Sequence, residues 1–302
     1  MNLLTWRPAR WYPDLLRKLL ATAGVLLLAP LCRAESPFFV TYTTQMEEPG
    51  DLEINARNVT GDPKAANGFI ATALEFEYGI TPWWTSELYL DGQSTRNEST
   101  IYTGFRLESR FQVLPRQHWI NPVLYVEFED LNGADKTLLE IVGNDGVEDL
   151  ATPNDEGRAE REREIETKLI LTSYAKGWTI AENFIAVKNV TNEPWEFGYA
   201  VGVSRPFSLS ARPGNCSFCP EKFQAGVEVY GGLGTAAGFG LRDTSHYIGP
   251  TLSWGPERGP SFKISPNFGL TDTSAGFLFR FGVSYEVEQF GRAIQNLFGG
   301  GH

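Results

Sequence analysis

Carboxylates recur at every second position in several stretches of this 302-residue chain: Glu75 and Glu77, Glu127 and Glu129, Glu164 and Glu166, with Arg106, Glu108 and Arg110 in the same spacing. Residues two apart share one face of a β-strand, so each run sets a row of charge along one side of a sheet. The charged residues on matching faces elsewhere are Glu87, Asp91, Lys168, Glu196, Glu228, Arg280 and Glu286, and the whole set holds twelve acids and four bases. Two kinds of chemistry follow from such rows. Facing water, carboxylate rings select or bind solutes by the sign of their charge. Facing one another across a narrow bore, long charged side chains pair and fill it. The excess of acids leans toward cations.

The strands that carry these residues are long. From Gly68 to Trp84, Ile70, Thr72, Leu74, Phe76, Tyr78 and Ile80 occupy one face, while Ala71, Ala73, Glu75, Glu77 and Gly79 occupy the other. A period of two over about eleven residues is roughly twice the usual strand and long enough to cross a bilayer at a tilt. Twelve candidate strands are predicted at 51–60, 68–80, 85–93, 99–113, 121–131, 162–174, 178–189, 195–205, 222–233, 246–254, 260–269 and 275–287. In many of them one face is apolar and the other polar or small, as in Trp195, Phe197, Tyr199, Val201 and Val203 against Glu196, Gly198, Ala200, Gly202 and Ser204.

A soluble β-sandwich alternates in the same way, with its apolar face turned inward. Three global features favour an all-β, antiparallel, up-and-down transmembrane barrel of about twelve strands. The strands cluster near ten residues; tight connections such as Thr81–Trp84 and Ala175–Trp178 alternate with long ones at 132–161 and 234–245; and Trp83, Trp84, Trp119, Trp178, Trp195 and Trp254 stand near strand ends, at headgroup depth.

The chain opens with Arg7, Arg10, Arg17 and Lys18, then the apolar run Leu19 to Leu31 and the small-residue site Cys32-Arg33-Ala34. That order predicts a secretory signal peptide over 1–34, a barrel over 35–290 and a short C-terminal periplasmic tail over 291–302. Removing 1–34 takes five Lys/Arg and one Asp from totals of 26 and 37, leaving 21 bases and 36 acids and a formal charge of −15. Such a chain is unsuited to nucleic acid. With 31 glycines and 13% aromatic residues the composition suits barrel strands and interfacial girdles.

The longest connection, 132–161, is rich in charge and turn residues and reads as a solvated external loop with a short helical turn at Lys136–Val142. Cys216 and Cys219 lie in the connection 206–221 of an exported chain and are expected to form a local disulfide. Of the three histidines, His118 sits in a predicted turn and His246 follows Asp243-Thr244-Ser245; a hydrolase would need an orienting acid against one of them. No cofactor motif is present: Gly231-Gly232-Leu233-Gly234 lacks the lysine of a phosphate loop.

The last strand contains Arg280-Phe281-Gly282-Val283-Ser284-Tyr285-Glu286-Val287. Through Arg280, Gly282, Tyr285 and Val287 it resembles the signal read by the barrel-assembly machinery of Gram-negative outer membranes, although fifteen residues follow it. Glu48–Ile54, Phe76–Thr81, Ala225–Tyr230 and Gly249–Trp254 are similar to phrases of the outer-membrane transporter family that includes the phenol meta-pathway outer-membrane proteins. The resemblance spans most of 48–287. It implies a barrel in contact with outer-membrane lipid and the assembly machinery, without a cofactor or catalytic residue. The resulting expectation is a passive channel or uptake protein for a small solute through a narrow acidic lumen. A plugged structural or adhesive barrel with functional loops is the alternative, and an outer-membrane hydrolase the third reading.

Overall fold

The computed structural model describes residues 36–64, 66–191, 193–210, 216–256 and 259–292. The leader at 1–34 and all but the start of the tail lie outside these residues. Twelve long strands form the wall: β1 (Leu52–Gly61), β2 (Phe69–Thr81), β3 (Trp84–Thr95), β4 (Thr100–Gln112), β5 (Asn121–Asn132), β6 (Arg161–Ala175), β7 (Trp178–Asn189), β8 (Glu196–Pro206), β9 (Phe223–Thr235), β11 (His246–Trp254), β12 (Ser261–Gly269) and β13 (Phe277–Val287). The two-residue β10 (Gly238–Phe239) only extends the loop end of β9. Each wall strand pairs antiparallel with its sequence neighbours, and β13 pairs with β1 from Leu52↔Val287 to Gly61↔Leu278. The sheet closes with no free edge, which is the condition for strands to stand in hydrocarbon.

The alternation read from the sequence becomes inside and outside. In β4, Arg106, Glu108 and Arg110 are buried within the barrel, whereas Leu107 between them is 50% exposed on its outer surface. Leu88, Leu90, Leu124, Val126, Ile165, Leu169 and Phe184 are exposed in the same way. So extensive an apolar outer band, closed around a charged interior, is the surface of a barrel that lies in lipid. Trp83, Trp119 and Trp178 sit exposed at the end where β1 begins and β13 finishes, called here the terminal end, and Trp195 at the opposite, loop end.

Two segments depart from the sequence reading. The connection between β5 and β6 is not a solvated loop: Lys136, Thr137, Leu139, Ile141, Val142 and Leu150 are buried, because the segment folds back into the bore. Nor is Lys136–Val142 helical. It is irregular, and the helical pieces are a 3₁₀ turn at Asp149–Ala151 and one α-turn at Asn154–Gly157. The second segment, Ser36–Gly50, precedes β1 and threads the lumen as a strap without ladder pairing of its own, apart from an isolated bridge at Pro49↔Gly79. Phe38, Phe39 and Val40 are buried there among barrel residues.

If the exposed face lies in lipid, Leu107→Arg will destabilise the folded barrel by about 2–4 kcal/mol near the bilayer midplane, read as a shift in the urea unfolding midpoint in lipid vesicles. An unchanged midpoint would show this face to be water-exposed.

Candidate functional site

The register of the wall brings glutamates into line. Glu286 of β13 stands opposite Glu53 of β1, Glu53 opposite Glu77 of β2, Glu77 opposite Glu87 of β3, Glu87 opposite Glu108 of β4, Glu108 opposite Glu127 of β5, and Glu127 opposite Glu166 of β6. The row begins at the terminal rim and climbs to the upper half of β6, where Val187 ends it. Like charges directly opposite one another repel. The bases that offset this stand two residues along the strands: Arg110 and Lys168 on one side of the row, Arg106 on the other.

Arg106 is the hub nearest the loop end. Its guanidinium lies 2.8 Å from Asp91, 3.0 Å from Glu129, 2.8 Å from Glu140, 3.5 Å from Asp135 and 3.7 Å from Glu127. Arg110 bridges Glu77, Glu87 and Glu108, Lys168 holds Glu166 and reaches Glu140 at 3.3 Å, and Arg57 reaches Glu75 at 3.3 Å. Arg280 donates to the Leu138 carbonyl at 2.6 Å. Glu164 and Glu196 are half-buried near the loop rim, and Glu286 is exposed at the terminal rim. The bases therefore pair with carboxylates of their own and nearby strands and of the inserted loop, lining the bore with ion pairs.

The inserted segments complete the closure. Glu140, at the tip of the β5–β6 loop, is gripped by Arg106 and Lys168, and Leu139, Ile141 and Val142 pack on the wall beside it. Gly198 lets the loop approach, since a Cβ there would stand 2.5 Å from the Ile141 carbonyl oxygen. From the other end, the strap sets Tyr42 in the centre of the lumen. Its hydroxyl contacts Tyr89 at 3.0 Å and Glu108 at 3.2 Å, its ring meets Tyr125 edge-on at 5.3 Å, and Lys168, Arg110 and Arg57 face the ring at 4.6, 5.5 and 5.9 Å. Phe38 rests on Gly202, where a Cβ would come within 2.7 Å of its ring. The strap escaped the sequence reading because it has no strand period. Small inward residues such as Gly198 and Gly202, with no partner in view, were the signal that something fills the bore.

A cavity remains on each side of Tyr42. The one at the terminal end is lined partly by Glu53, Glu75, Glu77, Arg57, Arg110 and Lys263. The one at the loop end is lined by eight acids, among them Glu129, Asp145, Glu160, Glu162 and Glu164, against the single base Arg106. Outside the wall strands, Glu98 latches the inserted loop. Partial burial works to raise its carboxyl, but the Asn154 N–H at 2.7 Å and the Asn67 amide at 2.9 Å hold it below the ordinary value.

Cys216 and Cys219 are joined in a disulfide at the terminal end. The ring nitrogens of His246 contact the Tyr199 hydroxyl at 3.1 Å and the Thr244 hydroxyl at 2.8 Å; among the described residues no carboxylate orients it as a hydrolase would require. His118 lies in the β4–β5 turn, its N–H bonded to Asn121.

No protein-family model and no curated protein matches the chain. Among solved structures, it is similar to an outer membrane channel from Pseudomonas putida F1, with a TM-score of 0.50 and 10% identity over 84% of this chain and 100% of that one. The fold is that of an outer-membrane β-barrel. The KdgM porin in complex with disordered oligogalacturonate (TM-score 0.48, 8% identity, 77% and 98% covered) and LpxR from Salmonella typhimurium (0.41, 11%, 78% and 99%) also match. At these identities the likeness concerns the fold alone.

Two outcomes are expected. Arg106→Met leaves five carboxylates without their shared cation and will lower stability by about 3–5 kcal/mol, seen as a lower temperature for loss of the folded gel band. Because Glu98 has a depressed carboxyl in the folded state, its latch is complete above the ordinary carboxylate pKa of about 4.3 and is lost as pH falls through the lower folded value. The hydrogen-exchange protection of the Asn154 amide will fall over that acid range and be absent in Glu98→Ala; protection in that variant equal to the parent's would contradict the latch.

Proposed function

We propose that the protein is a passive outer-membrane channel for small polar solutes, with cations favoured, and that the strap and the inserted loop hold it shut in the state described. The observation that carries this is the nature of the closure. Cavities at both ends are separated by a layer in which ion pairs, hydroxyls and the Tyr42 ring, groups that water can replace, stand beside apolar contacts of Phe39, Val40 and Ile141 with the wall. The acidic lining of the loop-end cavity raises the local concentration of cations. The short phrases that resemble the outer-membrane transporter family agree with a transport role. In the last strand Tyr285 is 51% exposed on the outer surface, which supports Arg280, Gly282, Tyr285 and Val287 as the assembly signal. By the usual placement of barrel termini, the terminal end is periplasmic.

One observation favours a permanently plugged structural barrel: both inserted segments are heavily hydrogen-bonded to the wall. Planar-bilayer recording separates the two readings. Glu140→Ala removes the carboxylate that Arg106 and Lys168 grip, so it will open more often than the parent, with a reversal potential in a KCl gradient that reports cation preference. Glu129→Gln with Glu164→Gln will weaken that preference. Silence of both parent and Glu140→Ala, in protein whose unboiled gel band shows it folded, would establish the plugged barrel, and anion preference would overturn the proposed selectivity.

A further inference from the structure

The strap is held chiefly by its main chain. The Glu228 carboxylate, fully buried, accepts the N–H groups of Phe39, Val40 and Thr41 at 3.0–3.2 Å. Asn183 reads the next residue with both ends of its amide, accepting the Tyr42 N–H at 2.6 Å and donating to the Tyr42 carbonyl at 3.0 Å. Thr172 accepts the Thr44 N–H at 3.0 Å and Thr85 that of Glu47 at 3.1 Å. Arg57 donates to the Phe39 carbonyl and Arg110 to that of Gln45 at 3.0 Å. Six side chains from six strands thus supply what a neighbouring strand supplies in a sheet, amide by amide along the strap.

Main-chain hydrogen bonds bind extended peptides with little regard to sequence, while pockets for side chains add selectivity. Here the track seats Phe38, Phe39 and Val40, all buried, and the half-buried Tyr42, with open space beside the strap in the terminal-end cavity. A polar group buried without a partner is costly, so a lumen that carried Glu228 and Asn183 for solute passage alone would gain nothing from their alignment. We infer that the lumen is a binding track for short extended peptides, neutral or basic in charge, and that the strap is the chain's own occupant of it. This deepens the channel reading, on which it rests for the route by which a peptide arrives.

The test uses full-length folded protein in detergent and fluorescence anisotropy of labelled octapeptides. One carries the sequence of residues 38–45, a second scrambles it, and a third is N-methylated at the amides equivalent to Phe39, Val40, Thr41 and Tyr42. Two variants weaken the strap without touching the track: Tyr42→Ala removes its anchor, and Phe38→Ala empties its seat on Gly202. In both, the first peptide will bind more tightly than to the parent, whose own strap competes. The scrambled peptide will bind within about fivefold of it, and N-methylation will cost at least tenfold. Adding Asn183→Ala will weaken binding of the unmethylated peptides. Equal binding of the N-methylated peptide, failure of the scrambled one, or no binding by either variant would overturn the inference. Binding without conductance would sink the channel reading alone, and conductance without binding would sink the peptide track alone.

Discussion

Like charges set directly opposite across a sheet repel, and this barrel places seven glutamates in one unbroken cross-strand row from Glu286 to Glu166. Such a row stands inside a closed barrel only if cations accompany it. Arg110 and Lys168 on one side and Arg106 on the other meet that need, and their positions decide what else the lumen holds. Arg106 and Lys168 also hold Glu140, which fastens the inserted loop. Arg110, Lys168 and Arg57 surround the ring of Tyr42, which centres the strap. The two plugging segments are therefore bound to the same cations that make the glutamate row tolerable.

The wall was legible in the sequence because lipid outside and charge inside enforce a strict period of two. Strand limits read as 68–80 and 178–189 correspond to Phe69–Thr81 and Trp178–Asn189. Closure followed from the even count and strand length. The direction in which Glu75, Arg106 or Lys168 points followed from the same period. What was not legible was partnership between neighbouring strands. Register decides which glutamates face one another, and it depends on turn geometry spread over the whole barrel. The inserted loop was misread for a related reason: its charges look solvated in sequence, yet Glu140 and Lys136 are satisfied by partners inside the barrel. The strap, lacking any period, left a trace only in the small inward residues opposite it.

Strap, loop and wall close the lumen by polar contacts around Arg106, Arg110, Lys168 and Tyr42 and by apolar contacts of Phe39, Val40, Leu139 and Ile141 with the wall. The polar contacts can be exchanged for solvent or solute group by group, whereas vacating an apolar side chain leaves a cavity. The main-chain bonds to Glu228 and Asn183 then set how firmly the bore is closed, because they hold the segment that carries Tyr42.

The most direct measurement of this account is amide hydrogen exchange of the intact protein in bilayers, resolved over residues 38–44. The strap lies outside every strand ladder, so a chain free at the barrel mouth would exchange at the rate of an unstructured peptide. The account predicts strong protection of the Phe39, Val40, Thr41 and Tyr42 amides, comparable with that of the wall strands; exchange at free-chain rates would contradict it.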